Sequence, residues 1–599
     1  MAARIEDYGL VGDLQTAALI SREGSVDWLC FPRFDSGACF AALLGDDDNG
    51  RWLLAPTDED RDVSRRYRPD TLILETEWEA TSGRVRVTDF MPPRGERPDL
   101  VRVVEGLEGE VEMFTEIVIR FDYGSIVPWV RRTGDNERVA IAGPDAVLLT
   151  TPVDVHGEDL RTRATFTVSA GERIPFVLTW YPSHEDVPQA VDAERALEET
   201  HTFWSEWANK CEFEGEHHDA VHQSLLVLKA LTYEPTGGIV AAPTTSLPEH
   251  VGGVRNWDYR FCWLRDATLT LLALLHAGYV EEADQWRMWL LRAAAGVPSD
   301  LQIMYGVAGE RRLTEQELDW LDGYERSAPV RIGNRASEQT QLDVYGEVLD
   351  ALYQARAHGM ERHPSAWSVQ KVILRHLERV WREPDHGIWE IRGPKRHFTH
   401  SKVMAWLAFD RAVCSVEEQG LDGPVERWRE ARDEIHAEVC KRGFDEDRGT
   451  FTQSYGQPEL DASLLQIPLV GFLPVSDPRV VGTIDAVARE LMYEGFLLRY
   501  ATDEQGSVDG LPVGEGVFLP CSFWLADCYE LLGRHDHAHA LFDKLLALRN
   551  DLGLLSEEYD PVEGRMLGNY PQAFTHLALV NTALTLAKAH PPVVLRHAR

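Results

Sequence analysis

The sequence predicts a multidomain β + α fold: an N-terminal β-sandwich over residues 1–185, a linker helix over 186–215 and an (α/α)6 barrel over 216–599. Three observations support this division. The length of 599 residues suits two or three domains. Short segments rich in β-branched and aromatic residues fill the first part of the chain. The hydrophobic period then changes to a helical one near Val187.

Five segments of the first part have the composition of β-strands, with turn residues between them. They are residues 14–21, 71–80, 84–91, 111–120 and 173–181. The runs Asp46–Gly50 and Ser82–Gly83 are typical turn signals. Because many strands follow one another without an intervening helical period, a sandwich is the expected arrangement.

Helical periodicity dominates the chain from about Asp219 onward. Apolar stripes run through 265–277, 281–294, 341–357, 365–381, 401–414, 426–440, 481–493, 521–532, 536–549 and 573–589. Their spacing suggests about twelve helices, as in an inner and an outer ring of six. Composition alone equally allows a helical solenoid, although no 34-residue repeat favours one.

The composition limits the partners and cofactors of the chain. A formal net charge of −38 argues against nucleic acid and anionic membranes as partners. No apolar run reaches the length of a membrane span, and the N-terminus lacks the pattern of a secretory signal. Eight scattered cysteines without a C-x-x-C pair indicate reduced thiols. We therefore expect a cytoplasmic protein without cofactor or metal, and a homo-oligomer is allowed.

Three loop segments of the helical part combine aromatic residues with charged ones. They are NWDYRFCWLRDA from Asn256, GIWEIRGPKRHFTHSK from Gly387 and LLSEEYDPVEGRMLGNYPQAFTH from Leu554. Aromatic faces stack on the apolar faces of sugar rings, and charged side chains bind the hydroxyl groups. Cleavage of a glycosidic bond needs two carboxyl groups, one as acid and one as base or nucleophile. The segments are therefore candidates for a site that binds a small neutral sugar.

These segments resemble the motifs of glycoside hydrolase family 15. WLRD at 263–266 is similar to the Trp-Thr-Arg-Asp of glucoamylases, and GIWE at 387–390 resembles the stretch that carries the general acid of the family. SEEYD at 556–560 resembles the stretch that carries the general base. The opening EDYGLVGDLQTAALISREGSVDWLCFPRFDS resembles the N-terminal sandwich of the bacterial and archaeal branch, which includes trehalases.

The resemblance implies a role for each matching residue. It makes Glu390 the general acid and Glu557 the general base of an inverting reaction, with carboxyl groups about 6.5–9.5 Å apart. Glu390 is expected in the drier setting with the raised pKa, and Glu557 in the wetter one. The expected substrate-binding residues are Trp257, Trp263, Arg265, Asp266, Trp389 and Arg392.

Several residues allow a second interpretation. Glu558 competes with Glu557 for the role of base, and Ile391 stands where many glucoamylases have a second glutamate. Glu347 is expected to be structural, and Glu515 to flank the site or to lie in a plain turn. Asp258 and Arg260 can line the pocket or form an internal ion pair. The histidines at 217, 218, 222, 535, 537 and 539 are expected at solvated helix starts rather than at a metal.

The preferred function is hydrolysis of trehalose to two glucose molecules. The absence of an export signal and of an appended β domain after the last helix favours a small substrate over starch. Glucoamylase or α-glucosidase activity on malto- or isomalto-oligosaccharides is the alternative. A disaccharide phosphorylase with an α/α barrel is an alternative of another class, but such an enzyme has a phosphate site in place of the base. A non-catalytic carbohydrate-binding protein is a third.

Overall fold

The computed structural model describes residues 2–501, 509–512 and 514–587. Fifteen antiparallel strands, paired in two sheets that one long strand joins, form the N-terminal domain. The strands are β1 Tyr8–Gly12, β2 Ala17–Ser21, β3 Ser25–Cys30, β4 Ala38–Phe40, β5 Arg51–Pro56, β6 Arg61–Tyr67, β7 Leu74–Ala80, β8 Gly83–Phe90, β9 Asp99–Val118, β10 Trp129–Gly134, β11 Glu137–Ala142, β12 Asp145–Thr150, β13 His156–Glu158, β14 Arg161–Ser169 and β15 Arg173–Pro182.

The long strand β9 belongs to both sheets. Its second half pairs with β5 and β14, and its first half pairs with β8 and β15. Between the sheets the rings of Trp52 and Phe176 meet edge-on, with centroids 6.3 Å apart. The Arg102 guanidinium lies over Trp52 and pairs with Asp89 at 2.7 Å, all of it buried. The two sheets therefore share one core, as the sequence predicts.

Helices follow the last strand of this domain. Helix α1, Ala193–Ala208, connects the two parts of the chain. The helical part contains α2 His218–Ala230, α3 Ala267–His276, α4 Val280–Ala294, α5 Asp343–Ala357, α6 Ala366–Val380, α7 Thr399–Glu417, α8 Val425–Arg442, α9 Gln466–Leu469, α10 Pro478–Glu490, α11 Leu519–Leu531, α12 His535–Leu546 and α13 Ala573–Leu586. Each of the ten apolar stripes corresponds to one helix, and residues 588 and 589 of the last stripe lie outside the described residues.

These helices form two concentric rings. Helices α3, α5, α7, α9, α11 and α13 contact one another in that order, and α13 closes the ring on α3. Helices α2, α4, α6, α8, α10 and α12 pack outside them. Burial agrees, since every residue of α13 is buried whereas α8 buries only Trp428, Ile435 and Val439. The closed ring confirms the (α/α)6 barrel and excludes the solenoid.

Short β-strands, paired in two- and three-stranded sheets, lie in the loops between the helices. They are β16 Thr232–Tyr233, β17 Gly238–Ile239, β18 Thr245–Pro248, β19 Asn256–Asp258, β20 Cys262–Trp263, β21 Met304–Tyr305, β22 Gln316–Leu318, β23 Val330–Ile332, β24 Phe444–Asp445, β25 Thr450–Phe451, β26 Met492–Tyr493, β27 Phe496–Leu497, β28 Val517–Phe518, β29 Glu558–Asp560 and β30 Arg565–Leu567. Within the described ranges, no helix has the length and apolar character of a membrane span.

The β domain supports the loop that leads into α3. Buried Arg260 pairs with Asp258 at 2.6 Å and donates to Ser36 O and to the Tyr123 hydroxyl of the β domain. The indole N–H of Trp28 reaches Pro243 O at 2.8 Å. These contacts fix the segment 256–266, which carries several predicted site residues.

Candidate active site

A pocket opens where the inner helices begin. Its walls come from the loops that precede α3, α5, α7 and α11. It is lined by Glu249, Arg255, Trp257, Tyr259, Arg265, Asn334, Ile388, Trp389, Glu390, Arg392, Arg499, Tyr500, Asp509, Leu511 and Phe518. Five of the eight predicted site residues are in this lining, and Trp263, Asp266 and Glu557 lie behind it.

Glu390 reaches the pocket from a tight turn between α6 and α7. Its backbone has φ +56°, in the left-handed region that is unusual for a residue other than glycine. The Trp263 indole N–H donates to Glu390 Oε1 at 2.7 Å, and Arg265 Nη1 lies 3.4 Å from the same oxygen. Its side chain keeps 20% of its surface exposed. One carboxylate oxygen is thus held by two donors.

Trp389 forms the wall next to Glu390. Its indole N–H donates to Asp461 Oδ2 at 2.8 Å, and Asp461 is itself buried just before the inner helix α9. The ring also packs against Phe518 and Trp524, with centroids 6.0 and 6.1 Å away. This wall is therefore fixed by a hydrogen bond on one edge and by aromatic packing on its sides.

Arg265 connects the first and second predicted segments. Its guanidinium donates to Asp266 Oδ1 and to Ile388 O, both at 3.2 Å. It also lies over the Phe574 ring, 5.3 Å from the centroid. Asp266 is 7% exposed and stands immediately before α3. The two residues therefore form a clamp: Asp266 holds the Arg265 guanidinium, and Arg265 presents its remaining N–H groups to the pocket.

Trp257 lies between two arginines at the pocket mouth. The guanidinium carbons of Arg331 and Arg392 are each 4.7 Å from its ring centroid. Both arginines also approach Glu315, at 3.9 and 3.5 Å. Arg392 and Trp257, which come from different loops, are thus joined in one wall.

Glu557 is fully buried just before β29. Its Oε2 accepts the Asn569 backbone N–H at 3.1 Å, and its Oε1 has no hydrogen-bond partner. Burial and the nearby Glu249 raise the pKa of Glu557 to about 8. Gly568, at φ +71°, allows this close packing, because a Cβ there would lie 2.6 Å from Glu557 Oε2.

Glu558, the competing base, is bound on both oxygens. Oε1 accepts from Arg499 at 2.7 Å, and Oε2 accepts the Gly516 backbone N–H at 2.8 Å. Its side chain is completely enclosed. Because both oxygens of Glu558 are held within the protein whereas Oε1 of Glu557 has no partner, this geometry favours Glu557 as the base.

The expected contrast between the two glutamates is reversed. The sequence places Glu390 in the drier setting, but its side chain is 20% exposed while Glu557 is 0% exposed. The polar neighbours of Glu557 in the sequence do not make the site wet, because the hairpin turns Glu558 into a buried ion pair. That expectation is therefore wrong.

Sequence reasoning missed a buried charge network next to Glu557. Carboxylate oxygens of Glu249, Glu557 and Glu558 lie within 4.8 Å of one another, and Arg499 donates to two of these residues. Arg499 and Arg255 also approach Glu515, at 3.0 and 3.2 Å, so Glu515 is not a plain turn residue. The guanidinium groups of Arg499 and Arg255 therefore neutralise part of the negative charge of this cluster. No spacing in the sequence signals it, because Glu249 and Arg499 are 250 positions apart.

Tyr259 is a second missed residue of the pocket. Its ring is 5.1 Å from that of Trp263, and Glu557, Glu249 and Glu390 all contribute to raising the pKa of its hydroxyl, after burial. The hydroxyl therefore lies in the field of both predicted catalytic carboxylates. The alternative interpretation of Asp258 and Arg260 holds, since they form a buried ion pair outside the pocket.

Comparison with known proteins identifies relatives over the whole chain. The family described as "Glycosyl hydrolases family 15" matches residues 215–584, and "Trehalase-like, N-terminal" matches residues 1–204. A trehalase of Mycolicibacterium smegmatis is 40% identical, with 98% of this chain and 91% of that protein aligned. A trehalase of Thermoplasma volcanium is 34% identical over 98% of this chain and 94% of its own length.

A solved structure shares the complete architecture. A bacterial glucoamylase complexed with acarbose superposes with a TM-score of 0.75, covering 100% of this chain and 97% of its own. The sequence identity is 13%, so this similarity concerns the fold. The order of a β domain and an α/α barrel is therefore common to both chains.

Proposed function

Because this chain belongs to glycoside hydrolase family 15, we propose that it hydrolyses trehalose to two glucose molecules with inversion at the anomeric carbon. The observation that carries the proposal is Glu390 at the pocket wall, with the Trp263 N–H and Arg265 on one carboxylate oxygen. The other oxygen is left to protonate the glycosidic oxygen.

Glu557 is the proposed general base. Its Oε1 has no hydrogen-bond partner, and Oε2 is held by Asn569, so the carboxyl group is oriented and Oε1 is the oxygen that we assign to accept a proton from water. Burial gives it a high proton affinity, which makes it a strong base once it is ionised. Water attacks while Glu390 donates to the leaving sugar, as required for inversion.

The remaining roles follow from the lining of the pocket. Arg265 offers its guanidinium to the hydroxyls of the sugar that is cleaved, and Asp266 holds Arg265 in place. Trp389 and Trp257 provide aromatic walls, with Trp263 behind the acid. Arg392 lies at the mouth, where the leaving sugar departs. A cytoplasmic location and a homo-oligomeric state stay predictions from the sequence.

Trehalose is preferred because the aligned relatives from both organisms are trehalases over almost their full length. The alternative substrate is a malto- or isomalto-oligosaccharide. A phosphorylase needs a phosphate site where a hydrolase has its base, and the carboxylate of Glu557 would repel phosphate there. Purified protein incubated with trehalose, maltose, isomaltose and starch should release glucose fastest from trehalose, with no dependence on phosphate as a co-substrate.

An activated substrate distinguishes the roles of the two glutamates. Glu390→Gln and Glu557→Gln should each reduce kcat on trehalose by about 10²–10⁴-fold, the usual contribution of acid–base assistance. Glucosyl fluoride needs little protonation of its leaving group. With this substrate the activity of Glu390→Gln should be partly restored, whereas Glu557→Gln should stay inactive. If Glu558→Gln is inactive and Glu557→Gln is normal, the base is Glu558. If neither position affects turnover, the site assignment fails.

A further inference from the structure

Glu249 is a buried glutamate that belongs to none of the sequence motifs of the site. It follows strand β18, and its backbone N–H donates to Arg255 O at 3.1 Å while its carbonyl accepts from Gly516 N at 2.9 Å. Only 3% of its surface is exposed, and that part faces the pocket. Two loops thus fix its backbone at the pocket wall.

The side chain of Glu249 joins a cluster with more carboxylates than cations. Its Oε2 accepts from Arg499 Nη2 at 2.9 Å and lies 3.8 Å from Arg255 Nη1. The two guanidinium groups of Arg255 and Arg499 together face the carboxylates of Glu249, Asp509, Glu515 and Glu558. Among the described residues, no arginine, lysine or histidine forms an ion pair with Glu557. The guanidinium groups nearest the base are therefore already shared among other carboxylates.

We propose that Glu249 is a positioning residue for the general base, whose negative charge gives the Glu557 carboxylate the proton affinity it needs to deprotonate water. The proposal rests on the role of Glu557 in the proposed function. It stands on the geometry of the cluster, in which Glu249 and Glu557 approach within 4.8 Å inside the protein.

The physical reason is repulsion between like charges in a dry environment. Ionised Glu249 disfavours ionisation of Glu557, and Glu557 in turn disfavours ionisation of Glu558. Arg499 opposes both, and the Asn569 backbone N–H stabilises the ionised base. Because Arg499 is bound to Glu249 and Glu558 rather than to Glu557, the repulsion is only partly cancelled. The base therefore takes up a proton more readily than an isolated glutamate.

Glu249→Gln tests this idea with little change of shape. The amide keeps an oxygen for Arg499 and removes the charge. We expect the midpoint of the kcat/KM pH profile that belongs to Glu557 to move to lower pH by on the order of one to three units. The kcat on its plateau should fall by about tenfold or less, since a weaker base is still present. A purely structural role would lower the melting temperature and leave the midpoint in place.

Glu515→Gln is the matched control. Glu515 is equally enclosed and approaches the same two arginines, but it lies outside the group of three carboxylates around Glu557. Its substitution should move the Glu557 midpoint by clearly less than Glu249→Gln does, because Glu515 acts on Glu557 only through the shared arginines. An unmoved midpoint in Glu249→Gln, or an equal shift in both variants, would overturn the proposal.

Two further measurements keep the test decisive. If Glu249→Gln does not fold, Glu249→Asp withdraws the carboxylate by one methylene group, and its midpoint should also move to lower pH; an unchanged midpoint overturns the proposal. Glu557→Gln separates this proposal from the proposed function. If Glu557→Gln keeps normal turnover, the assignment of Glu557 as the base fails. If Glu557→Gln loses turnover as expected but the midpoint of Glu249→Gln does not move, only the role of Glu249 is overturned.

Discussion

Replacing Arg265 with lysine tests the clamp that joins the sugar pocket to the general acid. The substitution keeps the positive charge and removes the planar fork of the guanidinium. In the structure this fork serves Asp266 Oδ1 and Ile388 O at 3.2 Å and lies 3.4 Å from Glu390 Oε1. A single ammonium group cannot hold these three acceptors and a sugar hydroxyl at once.

The expected loss follows from the number of contacts. At least one hydrogen bond that involves a charged group disappears, and such bonds contribute about 1.5–3 kcal/mol in enclosed sites. The side chain is only 15% exposed, so water replaces the lost contact poorly. The kcat/KM for trehalose should therefore fall by roughly 10- to 150-fold. Arg265→Ala should fall further, because it also loses the charge.

Steady-state hydrolysis of trehalose, with a melting curve for each variant, distinguishes lost catalysis from lost folding. Arg411→Lys is a suitable control, because Arg411 is a buried arginine that pairs with Asp350 at 2.6 Å on the inner helices and does not line the pocket. It should melt earlier with an unchanged kcat/KM. A folded Arg265→Lys enzyme with wild-type kcat/KM would refute the clamp.

Three other substitutions probe the packing of the chain. Gly568→Ala adds a Cβ 2.6 Å from Glu557 Oε2 at a left-handed backbone position, so kcat should drop by about tenfold or more as the base is displaced, and a normal kcat would contradict the packing argument. Asp89→Asn leaves Arg102 buried without its counter-charge and should cost about 3–5 kcal/mol in urea unfolding, whereas an unshifted midpoint would refute this. Burial raises the pKa of Asp343 to about 8, so the folded state retains a proton that the unfolded chain has released, and stability falls as the pH rises toward that value. Asp343→Asn should therefore stabilise the protein by about 1–3 kcal/mol at alkaline pH and by less in acid, and equal melting temperatures at both would exclude the effect.

Periodicity predicted the long elements and missed the interrupted ones. Helix α9 has only four residues, contains Pro468 and continues a 3-10 turn. Its sequence is therefore too short to show an apolar stripe of helical length. Strand β9 was recognised only in its second half, because Gly106 and Gly109 resemble loop residues. In the structure these glycines lie where another strand crosses closely, and a Cβ on Gly106 would be 2.1 Å from Ser169 O.

In the candidate site, too, the sequence predicted some features and missed others. Motif resemblance located the residues that lie in three continuous segments, and the structure brings five of them into one pocket with Trp263, Asp266 and Glu557 behind its wall. It could not indicate which side chain is dry, since exposure at Glu557 depends on a hairpin and on Arg499 from another loop. The sequence could not identify Glu249 as part of the site, because its partners are distant along the chain. Long-range ion pairs leave no periodic signal in a single chain.

The position of the pocket explains why so many carboxylates can be buried beside it. The site residues lie in loops that lead into the N-termini of inner helices, with Asp266 directly before α3, Asp461 before the turn into α9 and Asp343 in the first turn of α5. Helix N-termini present unpaired N–H groups and a partial positive charge. The negative charge around Glu557 is opposed by the two guanidinium groups of Arg255 and Arg499. The pKa of Glu557 is raised first by burial and next by the charge of Glu249, so among the neighbouring side chains Glu249 has the largest effect on the proton affinity of the base.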